Sequence, residues 1–246
     1  MQKERFGLID SVRGACVLGM VLYHALFDCV YLFGFFALPL GESIVLLVRD
    51  IGCCLFVLIA GISAHFGKHK VKRGLLLLAC GLCITVVTRW IAPAETVYYG
   101  VLTFMGCAGL LMLPLEKCIG RIPALPGFLV ATGLFALTYS VYNGTLGFFT
   151  VPLLQMPAVL YRNMATAAFG FPPDGFLSGD YFPLFPWFFL YLAGFFFWRL
   201  LQKKETAMKI CRFSVPVLQS MGKYSLWIYL AHQPVLYALC WCIAAL

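Results

Sequence analysis

Seven apolar stretches of helical length, separated by short polar connections, constrain this chain more than any other feature of its sequence. They run at about 8–36, 43–66, 72–91, 98–115, 124–142, 184–201 and 222–245. At 1.5 Å rise per residue each reaches, with tilt, across a hydrocarbon core of roughly 30 Å, and the fourth is short. Pro93, Pro114, Pro123 and Pro126 fall between these runs or at their ends, where helix breaks are expected. Hydrophobic residues make up 62% of the 246 and charged residues 11%. A soluble domain carries roughly 45–50% and about 25%, and a chain of this length cannot hide the surplus inside itself. The expected fold is all-α: a polytopic membrane helix bundle of about seven transmembrane helices, forming one domain over 1–246.

The charges read as topology signals. Lys3, Arg5 and Arg13; Lys68, Lys70, Lys72 and Arg73; Lys117 and Arg121; and Arg199, Lys203, Lys204, Lys209, Arg212 and Lys223 occupy alternate connections. Fifteen of the eighteen basic residues therefore share one side, leaving Arg49, Arg89 and Arg162 for the other. By the positive-inside rule the rich side is cytoplasmic, so the N-terminus is expected inside and the C-terminus outside. The formal charge of +8 does not point to nucleic acid, because no aromatic-interleaved basic surface accompanies it. The eleven cysteines lie mostly within apolar runs, where they pack as small hydrophobes, and Cys80-x-x-Cys83 stands without a partner pair. Asp10 and Arg13 interrupt the first apolar run and no cleavage site follows, so the segment reads as a retained helix.

One long connection, 143–183, falls on the outer side. Pro152, Pro157, Pro172 and Pro173 break it, while Phe148, Phe149, Phe169, Phe171 and Phe176 make it too apolar for a linker. It reads as an extracytoplasmic lid or re-entrant segment.

Ionisable groups are costly in a bilayer and mark function by default. His24 lies about 24 Å along the first helix from Leu8, with Asp28 roughly 6 Å beyond on the same face. Arg49 and Asp50 open the second helix, Arg89 ends the third, Asp180 precedes the sixth, and His232 with Gln233 lies in the outer part of the seventh. These residues are expected to converge on one polar site near the outer face. There the Asp28 carboxylate would fix the His24 tautomer for work as a base or acyl acceptor. His232 would add a second acid/base group, and Arg49 would stabilise an oxyanion or hold an anion. Asp10 and Arg13, three apart, can pair at the cytoplasmic entrance of the first helix. His65 and His69, among Lys68, Lys70 and Lys72, read as a solvated basic end rather than a metal or haem site.

Three motifs, in order, carry a family resemblance. They are Ile9-Asp10-Ser11-Val12-Arg13-Gly14 followed by Tyr23-His24 and Asp28; Asp180-Tyr181-Phe182-Pro183-Leu184-Phe185-Pro186-Trp187; and Gly222-Lys223-Tyr224-Ser225-Leu226-Trp227-Ile228-Tyr229-Leu230-Ala231-His232-Gln233-Pro234. Together they resemble the heparan-alpha-glucosaminide N-acetyltransferase-like membrane proteins, within the wider group of transmembrane acyltransferases. The resemblance implies transfer of an acetyl group from cytoplasmic acetyl-CoA to an amino-sugar or glycan acceptor on the extracytoplasmic side. It implies no metal or haem. On this reading His24, Asp28 and His232 are catalytic, and Arg49, Asp50, Asp180 and Gln233 bind substrate. Asp10, Arg13 and Arg73 face the CoA.

A proton-coupled transporter for a small solute is the main rival, since buried His and Asp residues also build proton relays; no inverted repeat supports it. A haem or copper protein with His24 and His232 as ligands is the third reading. Membrane lipid is the expected surrounding partner, a homo-oligomer is left open, and the size favours a bacterial plasma membrane.

Overall fold

A computed structural model describes residues 6–38, 41–149 and 151–245. Lys3 and Arg5, counted above among the cytoplasmic charges, lie outside the described residues. The helices in chain order are α1 (Gly7–Phe27), α2 (Glu42–Ser63), α3 (Lys70–Ile91), α4 (Val101–Ile119), α5 (Ala124–Thr138), a single-turn α6 (Met164–Ala167), α7 (Leu184–Leu201), α8 (Glu205–Arg212), α9 (Pro216–Lys223) and α10 (Ser225–Ala244). A π-turn, Asp28–Leu32, extends α1. Among the described residues seven segments are long and apolar enough to cross a membrane, matching the seven stretches in the sequence. Their outward faces are apolar, with Leu22, Val48, Leu82, Val130 and Trp241 all more than half exposed. Such surface is tolerable in lipid and costly in water. The chain is a polytopic, largely helical membrane protein.

Three details depart from the sequence reading. Pro114 does not end a helix, because α4 runs through it to Ile119. Proline removes one ladder bond there, a loss that neighbouring structure absorbs in membrane helices. Pro126 also sits inside a helix, but in the first turn of α5, where its missing N–H would have had no partner. The connection 143–183 contains an antiparallel hairpin, β1 (Thr145–Phe148) with β2 (Val151–Gln155). Its Pro and Gly content breaks helices, and Gly144 supplies the left-handed turn at φ 81° that starts it.

The chain divides into two compact units. The first comprises Met1–Ile59 with Leu201–Leu246, and the second Ala60–Leu200. In the first, α1 and α9 approach closely: a Cβ at Gly14 would stand 1.9 Å from the Leu218 carbonyl oxygen, and one at Gly222 1.9 Å from that of Asp10. Only hydrogens fit, so small residues let the backbones pack. Ser11 ties the same contact, since its hydroxyl donates to Gly7 O and accepts from Val215 N–H, at the start of α9.

In the second unit α3 and α4 meet through Gly74 and Gly106, where an added Cβ would collide with Leu110 and Leu78. Phe104, Met112, Phe135, Phe188, Phe195 and Trp198 are buried. Helix α7 is apolar all round, as its enclosure requires. The segment 143–183 is held by hydroxyl-to-carbonyl bonds: Tyr161 to Val141, Tyr99 to Met164 and Tyr181 to Ala167. Burial pushes the Tyr161 and Tyr181 hydroxyls above their ordinary pKa, which keeps them donors.

Candidate functional site

The polar groups of the first unit form two rungs between α1 and α10. In the first rung the rings of His24 and His232 lie 5.0 Å apart between centroids, tilted by 59°. Tyr23 packs edge-on against His24 at 5.5 Å. His232 Nδ1 lies 2.6 Å from the Tyr229 carbonyl oxygen. A carbonyl only accepts, so Nδ1 carries the proton and Nε2 holds the lone pair. The tautomer expected to be fixed on His24 by a carboxylate is thus fixed on His232 by its own helix.

The second rung is Asp28 with Gln233. Asp28 is fully buried. Both its carboxylate oxygens accept from Gln233 Nε2, at 2.9 and 3.1 Å. Asp28 thus bonds Gln233 and not His24, contrary to the sequence expectation. At Asp28 the α-helical ladder gives way to the π-turn, with Phe33 N–H bonding Asp28 O, and the carboxylate is satisfied from α10. Cys29 and Cys240 bring their sulfurs to 3.8 Å beside this rung, as free thiols.

Beside the His rung, Arg49 pairs with Asp50 at 2.8 Å and stands over the Tyr23 ring at 5.8 Å. Tyr23, Leu26, Phe27, Tyr31, Glu42 and Arg49 are among the walls of a cavity of about 270 Å³ between α1 and α2. Its rings run in series, Tyr23 to Phe27 at 6.5 Å and Phe27 to Tyr31 at 5.2 Å, and Tyr31 donates to Glu42 at 3.4 Å. The sequence reading missed this wall. Its signal is Tyr23, Phe27 and Tyr31 spaced by four, facing Glu42, Val45, Leu46 and Arg49 at helical spacing on α2.

At the other end of α1, Asp10 and Arg13 form the expected pair, at 2.8 Å. Their carboxylate and guanidinium are largely buried, and the pair lies where α9 presses on α1.

The second unit holds the remaining candidates. Asp180 Oδ2 accepts from Val101 N–H at 3.0 Å, which caps the start of α4. Arg73 is exposed in the first turn of α3, and Arg89 is exposed in its last. Lys70 pairs with Glu116 at 2.6 Å. His65 does not belong to a solvated end. Its ring stacks on Phe195 at 4.2 Å, its Nε2 bonds the Phe195 carbonyl at 3.0 Å, and burial holds its pKa below the ordinary histidine value. His69 is exposed, as expected.

The sequence model of one family, heparan-alpha-glucosaminide N-acetyltransferase, catalytic, matches residues 5–234. The chain belongs to that family. The match spans α1 through Pro234, so both rungs fall inside it. No curated protein and no solved structure matches the chain. Family and helices together make this a transmembrane protein with an acetyltransferase-type domain.

Proposed function

We propose that the chain moves an acetyl group from cytoplasmic acetyl-CoA to an amino-sugar or glycan acceptor on the extracytoplasmic side, using the His24–His232 rung. The observation that carries this reading is the ring pair itself: two imidazoles 5.0 Å apart, one with its tautomer set by a backbone carbonyl, inside the matched domain. His24 attacks the thioester carbonyl; a C–N bond forms, the C–S bond breaks, and the His24 proton leaves with the sulfur as free CoA. The acceptor amine then attacks acetyl-His24. Its nitrogen gains the acetyl group, the bond to His24 breaks, and the amine proton passes through His232 Nε2 back to His24.

Arg49, with Asp50, faces the developing oxyanion. The Tyr23–Phe27–Tyr31 cavity takes the acceptor, whose apolar ring face suits aromatic walls. Asp10 and Arg13 lie roughly 20 Å down α1 from His24, where the Arg13 guanidinium, held by Asp10, is the proposed contact for the CoA phosphates. In this scheme the N-terminus is inside, the C-terminus outside, and segment 143–183 is an extracytoplasmic lid. The whole chain works as one catalytic domain in a bacterial plasma membrane.

Sidedness tests it directly. Inside-out vesicles carrying the protein receive labelled acetyl-CoA outside and hold glucosamine within. Labelled N-acetylglucosamine inside the vesicle supports the reading. Product formed only outside would overturn the transmembrane direction, and absence of product with proton flux would favour a carrier.

A further inference from the structure

Gln233 has an unused acceptor. Its Oε1 is buried and has no hydrogen-bond partner among the described residues. Its Nε2 is engaged with both oxygens of Asp28, at 2.9 and 3.1 Å. Rotating the amide by half a turn would give up both bonds from Nε2, so the orientation follows from Asp28. A buried acceptor held away from every protein donor is costly, and a donor brought by a ligand would relieve that cost. Gln233 follows His232 directly in α10, and their partners Asp28 and His24 stand one turn, roughly 6 Å, apart along α1. The base and the orphan acceptor are therefore consecutive on α10, opposite two residues that share one face of α1.

We propose that Gln233 Oε1 receives the acceptor amine, accepting one N–H while the other is presented to His232 Nε2. Asp28 is then a positioning residue that acts through Gln233, and the pair selects a primary amine over a secondary one. This inference rests on the acyl-transfer reading. The chemistry follows from counting hydrogens. Attack and deprotonation consume one N–H, and only a primary amine keeps a second for Oε1. A hydroxyl acceptor, having one hydrogen, meets the same shortfall.

The test is a comparison of glucosamine with its N-methyl derivative as acceptors, in wild type, Gln233→Met and Asp28→Asn. The wild type is expected to favour the primary amine by about tenfold in kcat/KM, the worth of one buried hydrogen bond. Gln233→Met is expected to abolish that preference through the glucosamine KM, so that glucosamine and its N-methyl derivative become equivalent acceptors. Asp28→Asn, whose amide can face Gln233 either way, is expected to weaken the preference in part. A double variant, Asp28→Asn with Gln233→Glu, restores a donor–acceptor pair of reversed polarity and leaves an oxygen free, so it is expected to recover the preference. If both amines fall together in Gln233→Met, the residue is structural and the proposal fails. An unchanged preference in the variants overturns it equally. If the wild type acetylates neither amine, the acyl-transfer reading itself fails, and the inference goes with it.

Discussion

The two units treat their buried polar groups differently. In the second, the Lys70–Glu116 pair apart, charged and hydroxyl groups are largely used on backbone. Arg199 donates to the carbonyls of Ile122, Gly120 and Ile119 at 2.9, 3.0 and 3.4 Å, satisfying the end of α4, while Asp180 caps its start. In the first unit, side chains from different helices meet each other: His24 with His232, and Asp28 with Gln233. Helix ends leave orphan groups that any fold must satisfy, so the first pattern describes stability. The pairing of two imidazoles across α1 and α10 satisfies no orphan group at a helix end, and the cost of holding them in a membrane points to function.

The contrast can be broken at several points. Replacing His232 or His24 by Ala is expected to lower acetyl transfer by roughly 10²–10⁴-fold while the detergent-solubilised protein keeps its elution profile and helicity. A loss of folded protein instead would make the rung structural. Gly14→Leu is expected to separate α1 from α9, because even a Cβ meets the Leu218 carbonyl at 1.9 Å. Overpacking of that kind costs about 1–3 kcal/mol or more, read as a lower melting midpoint. Asp180→Ala is expected to cost about 1 kcal/mol, the usual worth of a lost cap, with the acceptor KM unchanged. A raised KM at unchanged stability would move Asp180 into the substrate site and blur the comparison.

The smallest effect concerns pH. Burial lowers the His65 pKa, so the folded protein binds fewer protons there than the unfolded chain. The stability it contributes is complete above the unfolded value of about 6.5 and is lost as pH falls from there through the lowered folded-state value. Melting midpoints between pH 7.5 and 5.5 should therefore fall less steeply in His65→Gln than in the wild type. Equal slopes would mean that the stacked ring titrates freely.

Much of this was legible beforehand, for identifiable reasons. The seven spans are written in residue-by-residue hydrophobicity, which is local information. Asp10 with Arg13 follows from helical spacing alone. The partners of Asp28 and His65 were not legible, because they depend on which helix packs opposite. Asp28 finds Gln233, 205 positions away in sequence, and His65 finds Phe195, 130 away. The continuation of α4 through Pro114 was missed because a proline's local cost says nothing about the neighbours that absorb it. The hairpin at 145–155 was hidden by a composition that excludes helix without specifying strand.

The central claim is that the imidazole rung, rather than any charged group of the second unit, performs the chemistry. Purified wild type, His24→Ala, His232→Ala and Asp180→Asn should be incubated with labelled acetyl-CoA, first alone and then with glucosamine. The account predicts label on the wild-type protein that glucosamine removes as N-acetylglucosamine, no label on His24→Ala, and label that persists on His232→Ala. Asp180→Asn should behave as the wild type. Normal labelling and turnover in His24→Ala would contradict the account.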